Sequence, residues 1–359
     1  MSPLDPRAAL GRPLSLAAVA AVAVGIVAFG AGLATGHAAA AFAALDASWL
    51  FFAGLAAGSV ALVAAIRIAH GRWAASVLPL AEAGVGFFVP AFVLLLLLRA
   101  GLGLLLPEGV PLGPGDWVRV VGSSAILFFL GLRFIGRSRL ASPSGEGVRG
   151  PALAYVVVYA ITLSLWAYEL VMKVAGGPPA TVIPAFYFFG ALLSALAWVA
   201  LLAAVKDVSG PDLRHDLGKL LFAFIVVWTY LLWALFLPTW YGNIPDESAF
   251  LLRRWHGGFR PLTIAVLVAV FFWPFWLLFS EQLKRRRGTL AFGAATVLAG
   301  LAAERFLLVI PSVRVEGDAG AWLVGAGVAA GVAGVFLLAV GGRLGRAPPA
   351  PEAAAPGPR

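Results

Sequence analysis

Cysteine is absent from the chain, which excludes disulfides, thiolate nucleophiles, cysteine-held iron–sulfur clusters and Cys-ligated metals. Histidine is scarce: His37, His70, His215 and His256 are the four. None lies in the middle of an apolar run, and no two are placed as a pair within one helix. A b-type haem in the membrane therefore lacks axial ligands at depth, and any redox centre is expected on a partner. No span begins with a Gly-rich phosphate loop, and there is no nucleophile elbow or HExxH motif. ATPase, protease and lipase readings fall away. Charge is thin as well, with only 12% of residues Asp, Glu, Lys or Arg.

What is present is hydrocarbon. Of 359 residues, 61% are hydrophobic, and the mean hydropathy is +0.95. Uncharged runs of about 20 residues match a hydrocarbon layer of roughly 30 Å at 1.5 Å per helical residue. The chain reads as an all-α polytopic membrane protein with ten spans, near 14–35, 48–66, 85–106, 117–136, 152–174, 182–205, 217–238, 261–280, 289–310 and 320–341. The N-terminus imitates a secretory signal, with Arg7 and Arg12 before an apolar run. That run exceeds the usual length of about 7–15 residues, so a retained first helix is expected. The Pro/Ala-rich segment 346–359 reads as a disordered cytoplasmic tail.

The net charge of +9 follows from topology rather than from nucleic-acid binding. Basic residues gather in alternate loops: Arg67 and Arg72, then Arg133 to Arg149, Lys206 to Lys219, Lys284 to Arg287, and Arg343 with Arg346. The opposite loops are poorer, with His37 and Asp46 in the first and Glu108 and Asp116 in the third. The positive-inside rule then puts both termini in the cytoplasm. The longest outer loop, 239–260, breaks the pattern with Arg253, Arg254 and Arg260, and suggests a docking surface. Trp240 and Tyr241 fit an interfacial aromatic belt. Asn243 to Glu247 read as a turn, with Ile244 held extended by Pro245 and the carboxylates Asp246 and Glu247 on the outer surface.

The informative residues are ionisable groups inside spans, each costing on the order of 2.5–3.5 kcal/mol at a helix centre. Arg99, Glu169, Glu304 and Arg305 all fall in the outer third of the bilayer, counted along their helices. Arg99 and Arg305 have stems long enough to snorkel. Glu169 and Glu304 do not, and are expected buried, paired or protonated. Glu304 and Arg305 diverge by about 100° on a helix, so they need not pair, and Arg99 is free to answer one of the glutamates. On the inner side His215, Asp216 and Lys219 open the seventh span. Positions 215 and 219 share a face. The cluster reads either as a water-facing border or as a proton-collecting mouth, because histidine titrates near neutral pH. Thr229 and Tyr230, near mid-membrane on that helix, offer hydroxyls to extend a path.

The stretch "HDLGKLLFAFIVVWTY", followed at fixed distance by "WYGNIP", resembles the F-type membrane subunit (ActF) of bacterial alternative complex III, a quinol:cytochrome c or quinol:oxidase oxidoreductase. That family is related to the NrfD-like anchors of polysulfide reductase. The likeness continues upstream in "WAYELVMKVAGG" and "TVIPAFYFFGA", and downstream from "RRWHGGFRPLTIAVLVAVFFWP". It covers about residues 160–290; the first four spans share hydropathy only. Family members usually carry Asp where Glu169 stands, and Pro-His-Trp where this chain has "GGPPA". "AERFLLVIPS" is similar to the sister C-type subunit as well.

The resemblance implies two four-helix bundles plus peripheral helices, no bound redox cofactor, and a place in the bacterial inner membrane. It implies as partners a periplasmic Fe–S subunit, multihaem cytochrome c subunits and an NrfD-like sister subunit that holds the quinol. It also implies a proton-conducting part, with His215, Asp216 and Lys219 at the inner mouth and Glu169 nearer the outside. A purely structural anchor, or a subunit contributing to a quinone site in the same complex, remains the alternative. A stand-alone secondary transporter is disfavoured, because no matching pair of Gly/Pro-broken spans marks a midplane site.

Overall fold

The computed structural model describes residues 11–140, 147–176, 181–256, 258–313 and 319–344. Arg7 and the 346–359 tail lie outside the described residues. All regular structure among the described residues is helical. Ten helices are long and apolar enough to cross a membrane: α1 (Arg12–Ala34), α2 (Ala38–Ile68), α3 (Leu78–Leu104), α4 (Pro114–Leu140), α5 (Arg149–Ala175), α6 (Ile183–Val205), α7 (Pro211–Gly242), α9 (Arg260–Phe279), α10 (Arg287–Ser312) and α11 (Ala319–Leu344). Between α7 and α9 lies the short amphipathic helix α8 (Pro245–Trp255). The protein is an all-α, multi-pass membrane protein. Alternation of ten spans puts the start of α1 and the end of α11 on one side, hereafter the termini side, and the other is the far side.

Helices α2 to α5 pack as one group, and α6, α7, α9 and α10 as a second, while α1 and α11 pair at the side against α2 and α3. Helix α2 is the most buried span and touches both groups. Its small residues explain how. A Cβ on Gly58 would lie 2.6 Å from the Ala191 carbonyl oxygen, so glycine lets α6 approach backbone to backbone. The same device holds α1 to α11, where a Cβ on Gly25 would come within 2.4 Å of Gly331 Cα. Gly331→Val is expected to lower unfolding stability by about 1–3 kcal/mol through overpacking. Gly30→Ala, where a Cβ meets nothing within 4 Å, should leave it unchanged. Detergent-phase thermal melts of the two variants check this.

Several boundaries differ from the sequence expectation. Helix α2 begins at Ala38, ten residues early, because "AAAAFAAL" is strong helix former and carries Asp46 inward with it. Asp46 is therefore a fully buried helical residue, not a loop residue. Helix α4 begins at Pro114, so Asp116 is helical too. The outer loop folds largely into α8: Asn243 takes a left-handed cap at φ 47, Ile244 is extended, and Pro245 restarts a helix with Asp246 and Glu247 in its first turn. The expected turn is thus only Asn243 and Ile244. Buried Arg254 ties α8 down. Its guanidinium donates to the Leu308 carbonyl at the end of α10, to Ser312 Oγ at 3.0 Å, and lies 3.4 Å over the Phe250 ring. Burial, then the adjacent Arg253, brings it down to about 9, so it keeps its charge at neutral pH.

Candidate functional site

Glu169 lies four residues before Lys173, and Asp116 three before Arg119, spacings that put each pair on one helical face. The structure brings the two pairs together at the far-side ends of α4 and α5. Arg119 donates through Nε to Glu169 Oε1 and through Nη2 to Asp116 Oδ1. Lys173 Nζ stands 2.9 Å from Asp116 Oδ2 and 3.6 Å from Glu169 Oε2. The Gly113 amide donates to Asp116 Oδ2 at 2.7 Å. Arg119 and Glu169 each lie in a single π turn, 118–122 and 167–172. A π turn adds a residue to the helical turn and re-aims the side chains around it, and here the two turns face each other.

Glu169 is fully buried and doubly paired, while Asp116, Arg119 and Lys173 were not singled out by sequence. The i,i+3 and i,i+4 charge spacings were the signal that could have found them. Arg99 does not answer a glutamate. It is buried, its Nε and Nη2 have no hydrogen-bond partner, and its guanidinium sits 4.7 Å over the Trp117 ring. Three cations thus face two carboxylates.

A second buried cluster occupies the junction of the two helix groups. Arg305 Nη1 donates to Glu304 Oε1 at 2.8 Å, and Nη2 reaches the Tyr187 carbonyl oxygen at 3.4 Å. Its guanidinium lies 4.5 Å over the Tyr187 ring. A Cβ on Gly190 would fall 2.6 Å from Arg305 Nη2, so glycine makes the room. These chain neighbours do pair, although helical geometry did not require it, and Gly190 leaves room for the guanidinium. Glu304 Oε2 and Arg305 Nε carry no hydrogen bond. Asp46 on α2 is fully buried, and neither of its oxygens has a partner.

Hydroxyls lie between this cluster and the termini side, but on α5 and α6 rather than α7. Tyr187 Oη donates to the Leu50 carbonyl at 2.9 Å, Tyr159 Oη to Phe188 at 2.8 Å and Tyr155 Oη to Ala57 at 3.1 Å. All three tyrosines are buried, and the rings of Tyr155 and Tyr159 stack at 6.5 Å. The α7 hydroxyls do not join them. Thr229 bonds its own helix at Ile225, and Tyr230 points outward with 66% of its surface exposed.

At the termini side two charged groups stand apart. On the first helix group Ser138 Oγ donates to Glu82 Oε1 at 3.2 Å, Arg139 pairs with Glu82 at 2.9 Å, and Arg67 donates to Ser138. Sequence reading missed Glu82. On the second, Lys219 pairs with Asp216 at 2.8 Å on the surface, and His215 Nδ1 is buried without a partner. Beside them a hydrogen bond from Arg285, then the charge of His215, hold the Glu281 carboxyl below its usual range. On the far side Trp240, Tyr241, Asn243 and Glu247 are exposed; the side chain of Asp246 lies outside the described residues. Among the described residues no three His, Asp or Glu converge as a metal site requires. No family model matches the sequence, and no curated protein does either.

Proposed function

We propose that this chain is a redox-silent membrane subunit of a quinol-oxidising respiratory complex of the bacterial inner membrane, and that it conducts or couples protons. The observation that carries the proton reading is the burial of Asp46 and the Glu304–Arg305 pair inside the spans, with three buried tyrosine hydroxyls on α5 and α6. Ionisable groups held inside spans are costly and mark ion pathways. Membership in the complex rests on the "HDLGKLLFAFIVVWTY" and "WYGNIP" resemblance, and the orientation, termini in the cytoplasm, on the basic residues of alternate loops. In this reading the iron–sulfur and haem centres belong to partner subunits, and the quinol to the sister subunit.

A purely structural anchor is the second reading, and the Glu169 cluster favours it. A carboxylate compensated by both Arg119 and Lys173 behaves as a cross-link between α4 and α5. Purification in mild detergent tests the assignment to a complex. A tagged chain is expected to bring haem absorbance and quinol oxidation with it; isolation alone, without haem, contradicts the proposal. Within the complex, His215→Ala is expected to slow coupled proton uptake while electron transfer is kept. Uptake at the normal rate would remove the α7 mouth from the route and leave the Glu82 group as the termini-side opening.

A further inference from the structure

Helices α3 and α4 meet along a groove that lies apart from both buried charge clusters. Its floor is the stacked pair Phe88 and Phe128, with ring centroids 4.6 Å apart. Gly131 seats that floor: a Cβ there would fall 2.4 Å from the Phe88 ring, so the ring lies close on the α4 backbone. Val89 and Val93 rise on one side, Phe129 and Leu132 on the other, around a volume of about 270 Å³. Val89, Val93 and Phe129 are more than half exposed, so the groove opens away from the helix interior. Every lining side chain is apolar and lies within a span. The groove offers contact to an alkyl chain and no hydrogen bond to a polar ring.

Cations stand at one end of it. Phe129, Arg133 and Arg137 follow at spacings of four on one face of α4, and the Arg133 guanidinium leans back over the Phe129 ring at 5.9 Å. Helix α4 runs toward the termini side, and Arg133 directly follows Leu132, so this is the termini-side end of the groove. Arg133 lies about 10 Å along the helix from the end of α4, a depth from which arginine snorkels to the interface. Both arginines are exposed, and neither has a carboxylate partner among the described residues. Glu82 is the carboxyl group in the termini-side halves of α3 and α4, and it is engaged by Arg139 and Ser138. Toward the far side, Arg99 is held over Trp117, and Arg119 by Glu169 and Asp116.

We propose that the α3–α4 groove holds one acyl chain of an anionic phospholipid of the termini-side leaflet, whose phosphate is bound by Arg133 and Arg137. Guanidinium groups one turn apart suit phosphate oxygens through charge-assisted hydrogen bonds. Basic groups beside a cleft between spans select acidic headgroups in the same way. A quinone fits less well, because it carries no charge for the two arginines to answer. The proposal needs the multi-pass fold and the one-sided charge, and it does not depend on the respiratory assignment.

Native mass spectrometry of the full-length chain in mild detergent, with added phosphatidylglycerol or phosphatidylcholine, tests it. Phosphatidylglycerol is expected to bind about tenfold more tightly. Arg133→Gln/Arg137→Gln should abolish that preference and leave phosphatidylcholine binding as in wild type. Ala125→Phe fills the groove from an exposed position on α4 without touching a charge, and should weaken both lipids. Thermal melts of both variants at the wild-type temperature show that folding is kept. Equal binding of the two lipids in wild type, or a preference that survives the double arginine variant, overturns the proposal. Wild-type binding in Ala125→Phe does so too, since it places the lipid elsewhere. Displacement of phosphatidylglycerol by an equal concentration of long-chain ubiquinone gives the groove to the quinone and overturns it as well.

Discussion

Arg305→Ala is expected to lower the free energy of unfolding by about 3–5 kcal/mol, the cost of leaving the other half of a buried ion pair uncompensated. The pair is almost free of solvent, with side-chain exposures of 1% and 5%, so water offers little relief. Truncation also removes the cation over the Tyr187 ring and opens the space beneath Gly190. The double variant Glu304→Gln/Arg305→Met behaves differently. Replacing both charges with neutral groups of similar size removes the desolvation burden along with the attraction, and the net is expected near neutral or slightly stabilising. Thermal unfolding in detergent of Glu304→Gln, Arg305→Met and the double gives the coupling energy directly. Equal destabilisation in Arg305→Ala and in the double would contradict the pairing.

Glu169→Ala has the second largest expected effect, about 3 kcal/mol. It leaves Arg99, Arg119 and Lys173 facing Asp116 alone. The figure is set at the low end because the Arg119 side chain is 43% exposed and water screens part of its charge. Glu169→Gln keeps the shape and one acceptor, and is expected to cost about 1–3 kcal/mol. The loss should be local. Hydrogen exchange at the π turns 118–122 and 167–172 should accelerate, while α7 and α10 stay protected. Unchanged exchange at both turns would show that the cluster does not fasten α4 to α5.

Much of the fold was readable from the chain because bilayer thickness sets a length that apolar runs must meet. The edges were harder. Asp46 looked like a loop residue, yet the alanines before it continue the helix, and one buried carboxyl did not stop them. The arginines of the 239–260 segment suggested an exposed loop, whereas Arg254 is an internal anchor for α8. Within the site, counting residues put Glu169, Glu304, Arg99 and Arg305 inside spans, and all four are buried there. Counting did not reveal their partners. Glu169 and Arg119 are separated by fifty positions, and only the rotation of α4 and α5, each adjusted by a π turn, makes them meet. Tyrosines were equally ambiguous: Tyr230 and Tyr187 both sit within apolar spans, and one faces outward while the other lies in the core. Helix rotation is set by packing, and no periodicity in these uniformly apolar spans records it.

Coupled proton movement in vesicles containing the complex, measured for Tyr159→Phe/Tyr187→Phe against wild type, is the most direct test. These substitutions remove two hydroxyls and leave every ion pair and both rings in place, so an anchor would not register them. Quinol oxidation at the wild-type rate with proton movement lost is the predicted result. An unchanged ratio of protons moved to electrons transferred would contradict the account.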